Sequence, residues 1–188
     1  MTIRSKAPSS ARERAVRTAV ALCAAMLLTG GCMSQDDDRN APLPRMAKDT
    51  ALKWAKDHTA HLARVAGVDL LPDTARTVFE DCVGAHDEVA DDGRYSLLYY
   101  VYSPAPATEH TRIVRTLRDE LRKSGYEVTG YREFKSAYES SVLRARNKKN
   151  QYSVEAETVG SGKKKPQRFS FSVSTPCLLP PGAEQQQF

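Results

Sequence analysis

RFSFSVST, residues 168–175, alternates more cleanly than any other stretch of this 188-residue chain. Successive side chains of a strand point to opposite faces, so Phe169, Phe171 and Val173 take one side and Ser170, Ser172 and Ser174 the other. Continuing that parity sets Cys177 on the phenylalanine side, directed into the core. Pro176, Pro180 and Pro181 then end the domain, and Gly182–Phe188 reads as a frayed tail.

Working upstream, Tyr152–Val159 and Val142–Asn147 read as strands across a turn near Lys148-Lys149-Asn150, preceded by a strand over Tyr126–Phe134. YSLLYYVYS, residues 95–103, is apolar or aromatic on both faces, as expected of a central strand covered on at least one side. Pro104 and Pro106 end it. Ala75–Val83 gives one more strand, carrying Val78, Phe79 and Val83. Two segments follow the helical period instead. Between about Arg45 and Ala66, a stripe of Leu52, Ala55, Thr59, Leu62 and Ala66 forms, with Trp54 beside it and Gly67 as a stop. Between about Glu109 and Ser124, Ile113, Val114, Leu117 and Leu121 share a face, with Thr108 as N-cap and Gly125 as stop. The order is helix, two strands, helix, three or four strands. That order predicts an α+β fold, with two helices packed on one face of a largely antiparallel sheet of four to six strands.

The first 31 residues differ from the rest. They hold five of the chain's 28 basic and one of its 23 acidic side chains, so the remainder carries 23 against 22. The basic balance thus belongs to a leader, which argues against a nucleic-acid partner. Arg12, Arg14 and Arg17 make a positive segment, and TAVALCAAMLL, residues 18–28, is uncharged and too short to span a bilayer. Thr29, Gly30 and Gly31 close it immediately before Cys32. This arrangement resembles the lipobox signal of bacterial membrane lipoproteins, although Thr29 stands where that motif usually carries Leu or Val. The resemblance implies that Cys32 receives a lipid and becomes the new N-terminus, at the extracytoplasmic face of a cell membrane. High Ala and Arg usage also resembles uncharacterised actinobacterial lipoproteins. The domain plan that follows is a signal peptide over 1–31, a flexible lipid-anchored linker over 32–44, one domain over 45–181 and the tail. With Cys23 discarded and Cys32 lipidated, Cys82 and Cys177 remain as one disulfide pair in an oxidising compartment.

Recognisable chemistry is scarce. There is no G-x-S-x-G or S-x-x-K, so no catalytic residue is assigned, and no cofactor. His58 and His61 lie three apart on the first helix but lack a third ligand, and read as solvated imidazoles; no metal site is assigned. The loop AHDEVADDG, residues 85–93, lacks EF-hand spacing and reads as a solvated acidic turn bent at Asp92-Gly93. Tyr95, Tyr99, Tyr100 and Tyr102 fit core and cross-strand pairs better than a recognition groove. Charge is uneven: acids crowd Asp69–Asp92, while Lys163, Lys164, Lys165 and Arg168 are candidate contacts for an anionic partner, either headgroups or a wall polymer. Such a basic segment also serves solubility and edge protection. The expected function is therefore a lipid-anchored binding or interaction module of the cell envelope. An envelope hydrolase using His86 or His110, or a sensor or inhibitor subunit, stands as the alternative.

Overall fold

A computed structural model describes residues 41–84, 87–133, 140–160 and 168–187, all within one compact unit, Asp38–Phe188. Its elements run α1 (Lys48–Ala66), β1 (Leu71–Asp81), β2 (Tyr95–Ser103), α2 (Ala107–Lys123), β3 (Tyr126–Arg132), β4 (Val142–Asn147), β5 (Ser153–Val159) and β6 (Arg168–Ser174). The six strands form one sheet in the order β1-β2-β6-β5-β4-β3, antiparallel at every pairing. Both helices pack on the same face, α1 over β2 and β6, α2 over β3 through β6. The expected α+β architecture is the one observed.

β6 sits in the middle because it is the last strand made and fills the slot between the β1–β2 hairpin and the β3–β4–β5 meander. Phe169, Phe171 and Val173 accordingly lie at the centre of the core, with Leu97, Val101, Ile113 and Leu117 around them, all fully buried. Burying a phenylalanine there is worth roughly 2–3 kcal/mol of transfer free energy.

Element ends differ from the sequence pattern where backbone groups find other partners. α1 begins at Lys48, not Arg45, because Arg45 and Met46 run extended beside the chain's C-terminal segment. Met46 donates to the Leu179 carbonyl at 3.0 Å, and Leu179 to that of Pro44 at 2.9 Å. β1 starts at Leu71, four residues early, through a bulge between Leu71 and Arg76. There Thr74 Oγ1 accepts from the Tyr102 N–H at 3.0 Å, replacing a ladder carbonyl, and Pro72 is tolerated because β1 is an edge strand. α2 begins at Ala107 with Pro106 at its N-cap, so Thr108 caps nothing. Gly67 does stop α1 in the left-handed conformation, φ 67°, its N–H bonded to Arg64 O. Phe134, expected in β3, lies outside the described residues.

The C-terminal tail is a correction. Gly182–Phe188 reads as frayed from its sequence, but over the described residues, through Gln187, its groups are tied down. Arg45 Nη1 donates to Ala183 O at 2.6 Å, Leu43 N–H to Gln185 Oε1 at 2.9 Å and Gln186 N–H to Asp92 Oδ2 at 2.9 Å. The chain therefore enters the domain, at Ala41–Met46, beside its own tail and beside Tyr95, whose hydroxyl donates to Met46 O at 2.9 Å. Arg168 stands at the other end of the strands, paired with Val159, and Phe169 beside it pairs with Ser103.

Candidate functional site: the open face of the sheet

The face away from the helices carries the other parity of every strand. β6 shows Ser170, Ser172 and Ser174 there; β2 shows Leu98, Tyr100 and Tyr102; β5 shows Ser153, Glu155 and Glu157. Register aligns them in rows: Leu98, Ser174 and Ser153; Tyr100, Ser172 and Glu155; Tyr102, Ser170 and Glu157. Ser170 is buried, whereas Ser172 and Ser174, with Ser153 beside them, leave a trough over the second half of β6. Its cavity measures about 370 Å³ and is lined by Leu98, Ser153, Arg144, Glu155, Ser172 and Ser174 among others.

One wall is charged, with a single arginine set against two carboxylates. Arg144 on β4 reaches Glu155 Oε1 at 2.5 Å and Glu157 Oε2 at 3.9 Å. Gly130 lies opposite Arg144 across the β3–β4 pairing, and a Cβ there would stand 3.4 Å from that of Arg144. Burial, then the neighbouring Glu155 charge, pushes the Glu157 carboxyl above its ordinary range, and its hydrogen bond to Glu155 pushes the Arg144 guanidinium up. On β2 the Tyr100 and Tyr102 rings lie 5.9 Å apart, tilted 53°.

The tyrosine set therefore divides. Tyr95 and Tyr99 are buried in the core, whereas Tyr100 and Tyr102 are half-buried on the open face. Of the candidate anionic-partner contacts, Arg168 is exposed at the start of β6, its guanidinium 5.8 Å from the Tyr102 ring centroid. Lys163, Lys164 and Lys165 lie outside the described residues, as do Cys32 and His86. Lys148, at the β4–β5 turn, pairs with Glu127 at 3.5 Å.

Cys82 and Cys177 form the expected disulfide, 95 residues apart in sequence, joining the segment after β1 to the segment after β6. Parity does not carry Cys177 into the core: Thr175 holds the buried position and Cys177 is half-buried, because pairing of β6 ends at Ser174.

The acidic loop is also less solvated than expected. Asp92 and Arg94 side chains are each 3% exposed and paired through Arg94 Nε to Asp92 Oδ1 at 2.9 Å and Nη2 to Oδ2 at 2.5 Å. Arg94 Nη2 also donates to Gln186 O. The Arg94 hydrogen bond holds the Asp92 carboxyl far below the usual carboxylate range.

His110 is structural. Its Nε2 faces the Ala105 carbonyl at 3.0 Å, which requires Nε2–H to donate. Burial lowers its pKa, so the ring is neutral and Nδ1 accepts from Thr158 Oγ1 at 3.0 Å. Thr158 Oγ1 in turn accepts the Ser141 N–H at 3.1 Å. Both ring nitrogens are consumed in a closed chain linking α2 to β5. His58 and His61 part company: His58 is half-buried and stacked between Trp54 and Tyr126 at 5.2 and 6.1 Å, while His61 is exposed. Burial, then the His61 charge, lowers the His58 pKa. Among the described residues no group of three or more His, Cys, Asp or Glu is arranged to hold a metal ion. No helix among them is long and apolar enough to cross a membrane.

These features define an α+β protein whose six-stranded antiparallel sheet, among the described residues, carries both helices on one side. No family model matches the chain, and neither the curated proteins nor the solved structures yield a match.

The serines were visible in the alternation of 168–175, and Glu155 and Glu157 alternate in the same way. Sequence reasoning placed the serines only on the face opposite the phenylalanines and did not single out the glutamates, because the order of strands, which sets serines between tyrosines and glutamates, is not written in any one segment.

Proposed function

We propose that this chain is an exported lipoprotein, anchored through Cys32 at the extracytoplasmic face of a cell membrane, whose domain acts by binding an envelope component on the open face of its sheet. The observation that carries the binding face is the cavity there, where Ser153, Ser172 and Ser174 lie between apolar Leu98 and the charged pair Arg144 and Glu155. Ligand sites are concave and combine apolar or aromatic walls with a few polar groups, and this is such an arrangement. The anchor rests on the leader and its cysteine alone. The entry of the chain at Ala41–Met46 puts Arg168, the described member of the basic set, at the far end of the strands. An anionic partner of Arg168 is then a wall polymer rather than the headgroups of the anchoring bilayer. The hydrolase alternative loses one of its two histidines, since His110 has no ring nitrogen left for a substrate.

Two measurements test this. Radiolabelled palmitate and membrane fractionation should find the wild type labelled and sedimenting with membranes, and Cys32→Ala unlabelled and released. A photo-crosslinking amino acid at Ser172 should give a reproducible adduct in native membranes, while the same group at Lys56, exposed on α1, should not. Equal labelling at both positions, or none at Ser172, removes the open face as the binding surface.

A further inference from the structure

We propose that β1 is a self-recognition edge, through which two copies of this chain pair their sheets antiparallel about a two-fold axis at Val78.

The sheet has two edges, and they are not alike. β3 is interrupted in mid-strand by a register shift between Val128 and Gly130, the kind of bulge that blunts an edge. β1 is irregular only up to Arg76; from there to Asp81 its register against β2 runs unbroken. Arg76, Thr77 and Val78 are exposed one after another, as on a strand with nothing beside it.

Parity assigns the free backbone groups. Tyr95 exchanges both its backbone bonds with Leu178, and Leu97 O accepts from Thr175, so these residues of β2 point toward β6 and the segment after it. Tyr102 N–H points the other way, to Thr74. Ser96, Leu98 and Tyr100 therefore bond Glu80, Val78 and Arg76, and the groups of Thr77 and Phe79 face outward. A second β1 laid antiparallel about Val78 sets Thr77 opposite Phe79 of the copy, and those outward groups exchange both hydrogen bonds. Val78 then meets its own counterpart at the closely spaced kind of pair, about 4.5 Å between Cα atoms.

The side chains read the same in both directions. In this register Arg76 stands opposite Glu80 of the copy and Glu80 opposite its Arg76, at roughly 5 Å between Cβ atoms. Within one chain, among the described residues, Arg76 donates only to carbonyls of its own strand, Asp73 at 3.3 Å and Ala75 at 2.8 Å. Val78 and Leu98 are cross-strand neighbours, and each is 38% exposed. Pairing joins them and their counterparts into one apolar row between the two ion pairs. Sliding the register by two residues sets Arg76 opposite Val78 or Cys82 and loses both ion pairs, so a single register is selected. A strand of another protein would have to carry this reversed charge order; a second copy carries it by symmetry.

The test places Val78→Cys in the full chain and follows disulfide-linked dimer in native membranes under mild oxidation, on non-reducing gels. Thr129→Cys, exposed on the β3 edge, is the control. Dimer above the wild-type background is expected from Val78→Cys and not from Thr129→Cys. In the Val78→Cys background, Arg76→Glu or Glu80→Arg alone should cut the yield about tenfold, since symmetry counts each repulsion twice, and the two together should restore it. All four positions are exposed, and melting temperatures within a few degrees of wild type certify the fold. No dimer from Val78→Cys, or an equal yield from Thr129→Cys, overturns the edge pairing. Single charge changes that leave the yield unaltered, or a double change that fails to restore it, overturn the register and with it the proposal.

Discussion

The two faces of this sheet are built from alternate residues of the same strands, yet they obey different rules. On the helix side, Phe169, Phe171 and Val173 are buried among Leu97, Val101, Ile113 and Leu117, and the buried His110 has both ring nitrogens matched. On the other side, Ser172 donates its hydroxyl to Glu155 O at 3.4 Å, and the charged groups Arg144, Glu155 and Glu157 pair with each other at the surface. The difference teaches that β6 carries both stability and the candidate ligand surface, one residue apart, so substitutions at neighbouring positions should separate the two.

The largest effect is expected at the disulfide that joins the segments following β1 and β6. The Cys82–Cys177 bond closes a loop of 95 residues, and its removal by the double change to serine should destabilise the domain by about 4–5 kcal/mol, on a chain-entropy argument. Denaturant titration of oxidised wild type against the double variant reads this directly. Next comes Phe171→Ala, which opens a cavity at the centre of the core and should cost about 3–5 kcal/mol in the same titration. If Phe171→Ala and Ser172→Ala prove alike, the contrast between faces is wrong.

The third effect carries a sign. His110→Phe strands the Thr158 hydroxyl side of the network and the Ala105 carbonyl, at about 1–3 kcal/mol near neutral pH. The folded protein holds His110 below its unfolded value of 6.5, so its contribution is present above that pH and is lost as pH falls, while the unfolded chain takes up protons that the folded one resists. The gap between wild type and His110→Phe should therefore narrow from pH 7 to pH 5 in thermal melts. On the open face the sign reverses. Glu157 is held above its unfolded 4.5, so it disfavours the fold as pH rises through the folded pKa. Glu157→Gln should raise stability slightly at pH 7, by under about 1 kcal/mol since the group is partly solvated and screened, and the gain should vanish as pH falls toward 4.5. Smallest of all, Ser172→Ala should change stability by no more than about 0.5 kcal/mol, while weakening any ligand that uses the floor.

Much of this was legible without coordinates. YSLLYYVYS and VLRARN predicted β2 and β4 to the residue, because an apolar core leaves a period that local sequence must carry. Helix 2 announced its buried face through Ile113, Val114, Leu117 and Leu121, though not through His110, since a polar residue on an apolar stripe says nothing about its partners. The errors fall where long-range hydrogen bonds intervene. The tail, read as frayed from its composition, is held by Arg45, Leu43 and Asp92, residues 94 to 142 positions away. The acidic loop, read as solvated, hides a buried Asp92–Arg94 pair that the tail itself covers.

By itself, then, the sequence determined the elements, the cysteine pairing and the parity of each strand, since these follow from periodicity and counting. Only the tertiary structure decided which strands stand side by side. The slot taken by β6 depends on its fit between two distant hairpins, not on anything within residues 168–174, and that placement alone brings serine, leucine and glutamate together along one trough.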